Sequence, residues 1–244
     1  MYQQIARATT LVALVAATAV AQQADTRPTV AVLPFTNSAI GQNNADLQAL
    51  SKGIADLLLT ELSQNPGIRV VERENIANVI REQGLAADGR VDEATAVRAG
   101  RLLGAKHMVT GTFITDNRGT MVLTLKSIDS ETGIVEWSHT GRGKTESFFE
   151  LVSQVAAAAN SGLKLPALTP QVRQTGEART EERKKIPFQA VMMYSRAISA
   201  QDNGKKEEAI ELFSQTIQRF PTFSDAVAAC ERLEGGARCR PTGG

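Results

Sequence analysis

The chain has 244 residues, 42% of them hydrophobic and 22% charged, a composition that excludes disorder throughout and fits one medium domain with a small appendage or two small domains. With 27 Lys and Arg against 26 Asp and Glu it is nearly neutral, so it offers no field for a phosphate backbone or an anionic lipid surface. Aromatics at 5% are too sparse for a stacking platform that holds single-stranded nucleic acid.

Residues 1–24 read as a secretory signal peptide. Arg7 precedes an apolar run over 8–21, and Ala19-Val20-Ala21 supplies a small-x-small cleavage site before Gln22 and Gln23. The run is shorter than the roughly 20 residues that span a bilayer. The expectation is export with cleavage after Ala21. Both cysteines, Cys230 and Cys239, lie far from that site, so no lipid-anchor cysteine is expected there and the exported form should be periplasmic, with no membrane span.

After the leader, 29–35 (TVAVLPF) is a β-branched apolar run that reads as a buried strand, followed by a polar loop over 37–44. Leu47, Leu50, Ile54, Leu57, Leu58 and Leu62 recur at helical spacing until Asn65-Pro66-Gly67 stops the pattern. A second short strand over 68–71 follows, and a helix-length crossover between two apolar strands predicts a parallel pair. Helices are predicted over 75–83, with Gly84 as the stop, and from Val91 or Asp92 to Leu103, with Gly104 as the stop. The period then changes: 107–114, 120–128 and 134–140 are β-rich and are separated by turn-rich stretches at 116–119 and 129–133, which requires antiparallel hairpins. Residues 148–163 are helical again. The expected fold is α/β, a mixed sheet of two parallel strands and an antiparallel three-strand meander flanked by helices.

The span 164–187 carries Pro166, Pro170, Pro187 and a mixed charge cluster over 179–185, and reads as a linker with room for a short helix in its charged part. Two helices over 188–200 and 205–219, joined at Asp202-Asn203-Gly204, and a third over 224–233 complete the chain. The domain plan is thus 1–24 leader, 25–163 α/β domain, 164–187 linker, 188–234 helical hairpin with a capping helix, and 235–244 tail.

The chain lacks a Gly-x-Ser-x-Gly elbow, a His-Glu-x-x-His pair, a Walker loop and a Cys-x-x-Cys pair, so no catalytic, metal or cofactor residue is assigned. Gly141-Arg142-Gly143 is too short to cradle a phosphate and reads as a bulge or strand exit. His107 and His139 lack acidic residues at ligand spacing. Glu72 and Glu74 flank Arg73; they read as charges at a helix start, with acid–base work as the alternative. Trp137 alternates with Val135 and reads as core. Cys230 and Cys239 are expected to form a disulfide in an oxidising compartment, where closing so short a loop contributes about 2–3 kcal/mol on the chain-entropy model. Ala209, Leu212 and Phe213, with Met193 on the preceding helix, give the hairpin more apolar surface than two helices enclose, and are the candidate partner-binding residues.

Two resemblances are carried by particular residues. The segment GKKEEAIELF at 204–213 with Phe220-Pro221 resembles the second half of a tetratricopeptide repeat, Ala209, Phe213 and Pro221 matching its packing and terminal positions and Met193 standing where tryptophan is usual. One repeat does not bury its own face, so the hairpin should dock on the α/β domain or on a partner. The stretch RVVERENIANVIREQGL at 69–85, with VAVLPF at 30–35, GAKHMVTGT at 104–112 and TGIVEW at 132–137, resembles the curli production assembly/transport family, and the Leu-Pro-Phe opening and Thr-Gly to Trp ending are similar to the amino-terminal domain of the Tol–Pal translocation protein. This resemblance implies a periplasmic module that works with protein partners in envelope assembly or secretion, with self-association or peripheral outer-membrane association as further options and no nucleic acid. The short turns at 116–119 and 129–133 leave no spare segments for membrane hairpins, so no pore of its own is expected. An enzyme acting on cell-wall material, and a small-ligand sensor with its pocket near 35–44 and 71–75, are the competing expectations.

Overall fold

A computed structural model describes residues 25–38, 45–85, 92–234 and Cys239. The leader with its cleavage site, part of the loop after the first strand, and most of the tail lie outside the described residues.

The first strand β1 (Thr29–Val32) is buried along its whole length, because helices cover both faces of the sheet at that point. Its alternation divides the interior. Val30 and Val32 enter one core, and Ala31 with the following Leu33 enters a second. A two-residue β2 (Thr36–Asn37) leads toward α1 (Ala45–Leu62), which crosses to β3 (Arg69–Val70). The short helix α2 (Arg73–Glu82) and then α3 (Glu93–Leu103) follow. The Asp92 carboxylate accepts the Thr95 amide at 2.7 Å, and Gly104 takes the left-handed conformation (φ 61°) that ends α3.

Three long strands form the meander: β4 (His107–Thr115), β5 (Thr120–Asp129) and β6 (Val135–Lys144). The sheet order is β3-β1-β4-β5-β6, with β2 pairing β4. β1 pairs in parallel with both β3 and β4, so the meander's first strand joins the parallel part directly; β4–β5 and β5–β6 are antiparallel. A bulge at Ser127/Ile128 shifts the β5–β6 register, and Met121, Leu123 and Leu125 face the first core whereas Ile128 faces the second.

α4 (Phe148–Gly162) lies across β6. A Cβ on Gly141 would sit 2.6 Å from Val155, so this glycine lets the helix approach the strand; the Gly141-Arg142-Gly143 run is a packing feature. The Trp137 ring rests over Gly162, half-buried at the rim of the first core, and stacks on His139 with centroids 5.8 Å apart.

Within the stretch read as a linker, Pro170–Arg183 forms a regular helix, α5, started by the Thr169 hydroxyl and held down by its last residue. Arg183 is buried; it pairs with Glu61 and Asp225 and lies 5.3 Å over the Phe149 ring. Arg179 adds a second contact to Glu61 at 3.0 Å. Polar composition hides this docking from sequence patterning, because α5 is anchored by ions and has no apolar stripe.

The helices α6 (Phe188–Asp202), α7 (Lys206–Arg219) and α8 (Ser224–Glu234) pack on α1 and α4 and share the first core with them. Gly53 of α1 makes the closest approach: a Cβ there would overlap the Ser195 side chain of α6. A disulfide joins Cys230 to Cys239 across a Cα separation of 5.5 Å.

Candidate partner interface

Among the large apolar side chains described, four stand out as exposed: Leu102 at 55%, Ile134 at 63%, Ile114 at 44% and Val135 at 41%. Leu102 lines an open groove of roughly 470 Å³ together with Glu93, Ala94, Val97, Arg98, Arg101 and Gly133, and Ile134 and Val135 follow Gly133 directly in the chain. The turn that forms one wall is built by Asp129. Its carboxylate accepts the Glu131 amide at 2.9 Å and the Thr132 amide at 2.7 Å, and Gly133 takes a positive φ of 75°. The Thr132 amide bond, foremost among these, holds the Asp129 carboxyl below its ordinary range. Arg101 clamps the turn to α3 by donating to the Ser130 and Glu131 carbonyls, each at 3.1 Å, and Lys126 reaches Glu93 at 2.6 Å. The apolar residues are thus presented on a braced surface. The Arg98 side chain at the rim makes no hydrogen bond or ion pair among the described residues; after the Thr95 hydrogen bonds, its charge helps hold the Asp92 carboxyl below its ordinary range.

The residues chosen from sequence as partner-binding lie elsewhere. Ala209 and Phe213 are fully buried in the first core, because α7 is enclosed by α6 and α8, and they present nothing to a partner. Leu212 is half-buried against the same core, and Met193 is half-buried on α6. Two sequence features mark the exposed apolar residues. Leu102-Leu103 puts neighbouring leucines at a helix end where only one can face inward, and Ile134-Val135 sets two apolar residues directly after a turn.

The region of Glu72, Arg73 and Glu74 proves to be a buried ionic junction. Arg73, at the first turn of α2, is buried; its Nε donates to Asp56 of α1 at 2.9 Å and its Nη1 meets Asp202 at the end of α6. The Tyr194 hydroxyl donates to the other Asp56 oxygen. Burial, and then the adjacent Asp56 charge, push the Tyr194 phenol well above its ordinary range, so it stays protonated as a donor. Glu74 accepts from Arg73 at 3.1 Å and from Gln201 at 2.7 Å. Glu72 precedes α2 without a side-chain capping bond. Among the described residues, Arg73 and Asp202 line the crevice beyond β1 and β3; residues 39–44, part of the region where a small-ligand pocket was expected, lie outside the described residues. A void of roughly 20 Å³ remains beside Val32, Pro34 and Ile76, about the size of one water.

The His107 Nδ1–H donates to the Glu136 carboxylate at 2.8 Å, and His139 stacks on Trp137. Among the described residues no group of three or more His, Cys, Asp or Glu is placed to hold a metal ion. No helix there is long and apolar enough to cross a membrane.

Residues 12–119 match the family model described as curli production assembly/transport component CsgG. The matched CsgG segment is a little under half of the chain and ends at Gly119, between β4 and β5, whereas the resemblance carried by sequence motifs runs on to TGIVEW at 132–137. It bears out the resemblance to that family. No curated protein matches the chain significantly. Among solved structures, the LpoB C-terminal domain from Salmonella enterica is 19% identical, covers 48% of this chain and 82% of its own, and superposes with a TM-score of 0.39. Lipoprotein GNA1162 from Neisseria meningitidis is 14% identical over 65% of this chain and 97% of its own, with a TM-score of 0.40. A PelC dodecamer from Paraburkholderia phytofirmans is 16% identical over 57% and 90%, with a TM-score of 0.36. All three likenesses are remote.

Proposed function

We propose that the chain is a non-enzymatic periplasmic adaptor in envelope assembly or secretion, which binds a protein partner across the face made by α3 and the 129–134 turn. The observation that carries this reading is the exposed Leu102 in a groove braced by Arg101 and Asp129, with the exposed Ile134 and Val135 directly after Gly133 in its wall. Exposed apolar side chains gathered at one place, with a polar rim, mark protein contact more often than solvation. The partner's matching surface carries an apolar cluster flanked by a carboxylate for Arg98. The CsgG match over 12–119 and the export signal expected in 1–24 support an envelope setting. The pore-forming activity of that family is left out of the proposal, since the meander turns at Asp116–Gly119 and Asp129–Gly133 are tight.

Leu102→Asp tests it. The side chain is more than half exposed, so the fold should lose no more than about 0.5 kcal/mol. Co-isolation of the envelope partner should fall about tenfold or more if Leu102 anchors the contact. Unchanged recovery of the same partners by Leu102→Asp and by Ile134→Asp would refute this interface.

A further inference from the structure

We propose that Glu136 is a positioning residue of the partner face: the bulge it occupies in β6, pinned by His107 and Ser127, turns Val135 outward on the side of the sheet that α3 covers. The inference rests on the reading of that side as the docking surface and names the device that sets it. The bulge is forced by a mismatch of registers. In the turn, the Asp129 amide donates to the Ile134 carbonyl at 3.0 Å. Farther along the hairpin Ser127 stands opposite Trp137, and the ladder runs unbroken from there to Thr120 opposite Lys144. One β5 residue, Ile128, therefore faces two of β6, Val135 and Glu136, and only one of them pairs with it. That partner is Val135, and Glu136 is the extra residue. Directly opposed residues send their side chains to the same face. Ile128 lies in the second core with Ala96 and Ala99 of α3, so Val135 is on the α3 side. Had Glu136 been the partner of Ile128, a carboxylate would stand there instead.

The choice between the two residues is made on the first-core face. There the His107 Nδ1–H donates to Glu136 Oε2 at 2.8 Å, and the Ser127 hydroxyl donates to the same oxygen at 3.3 Å. His107 is buried at the start of β4, beside Val30 of the first core and opposite Asp129. The outcome inverts what burial alone favours. A valine is left 41% exposed, while a glutamate side chain is drawn in until 28% of it remains exposed. The two hydrogen bonds to a carboxylate offset that cost. What the arrangement achieves is an apolar side chain offered next to Ile134, and bulges re-aim side chains in this way beside functional sites.

Nuclear magnetic resonance of the purified chain tests it. The β-carbons of an opposed pair stand about 5 Å apart, so the methyl groups of Val135 and Ile128 should give a strong NOE. His107→Leu removes the donor and lets the bulge move to Val135. That NOE should be lost, and co-isolation of the partners that Leu102→Asp loses should fall about fivefold or more. His107→Asn, which keeps an N–H near the place of Nδ1, should preserve both. Deleting Glu136 from the His107→Leu chain leaves a single residue opposite Ile128, so the NOE and the partner recovery should return. A merely structural clip would make this double variant the worse of the two. A Val135–Ile128 NOE at full strength in His107→Leu overturns the inference, whatever Leu102→Asp shows. So does a His107→Leu chain that loses the NOE and still recovers the partners in full, a result that leaves the Leu102 contact standing. So does a double variant in which the NOE stays absent. Partners retained by Leu102→Asp would instead sink the docking surface itself, a failure the NOEs do not depend on.

Discussion

Arg73→Met should lower the stability by about 3–5 kcal/mol, read as a shift of the denaturant midpoint at neutral pH. Methionine keeps most of the buried stem and removes the guanidinium. Asp56, buried against that group, would then be left without a cation, and Asp202 would keep only Lys52 at 4.0 Å. The Tyr194 hydroxyl satisfies one Asp56 oxygen but supplies no charge. The cost is that of a stranded buried charge, well above the median of about 0–1 kcal/mol for exposed ion pairs in general. Adding Asp202→Asn to Arg73→Met should cost less than the two single effects summed, because the second change removes a charge the first left with Lys52 alone. Simple additivity, or a single effect below about 1 kcal/mol, would mean that water reaches the junction and screens it. The junction also explains how the carboxyl-terminal helices are tied to the α/β body: Asp202 at the end of α6 closes on α2, and Arg81 of α2 donates back to the Asp202 carbonyl at 2.9 Å.

The α/β body was legible where burial alone decides the pattern. The leucine and isoleucine stripe of α1, the glycine stops at Gly84 and Gly104, and the aspartate-led turns at Asp116 and Asp129 are local signals, and each element lies within a few residues of its expected place. The parallel pairing of β1 with β4 was not legible, because strand order is a tertiary choice that short apolar runs do not encode. The anchoring of α5 and of α2 was hidden for another reason. Arg183 and Arg73 sit in polar stretches that read as solvated, and only the fold brings Glu61, Asp225, Asp56 and Asp202 to meet them. Gly53 gave no sign of its role either; its meaning lies in the neighbour, Ser195, which is far along the chain. For the interface, counting apolar residues on α7 picked out Ala209 and Phe213, which the fold buries. An abundance of apolar residues marks what is covered as readily as what is offered, and α8 covers α7.

That enclosure makes Phe213 the site of the second large effect. Phe213→Ala should cost about 3–5 kcal/mol, the range for truncating a fully buried aromatic ring. Its ring lies 5.7 Å from Tyr194, Tyr194 lies 5.3 Å from Phe223, and Phe223 lies 5.7 Å from Phe149, so one aromatic row crosses α7, α6, the loop before α8, and α4. Deleting the end of that row leaves a cavity the remaining rings do not fill without leaving their rotamers, and it loosens Tyr194, which donates to Asp56. Leu212→Glu, one residue away, is the informative contrast. Leu212 is half-buried, so its glutamate replacement has a path to water and should cost only about 1 kcal/mol. Thermal or denaturant melts of the two variants decide between an enclosed and an offered α7. A large loss at Phe213 with a small one at Leu212 places the boundary of the core between those neighbours. Equal large losses would bring Leu212 into the core as well. A small loss at Phe213 would mean that α7 is held mainly by its contacts with something other than this chain.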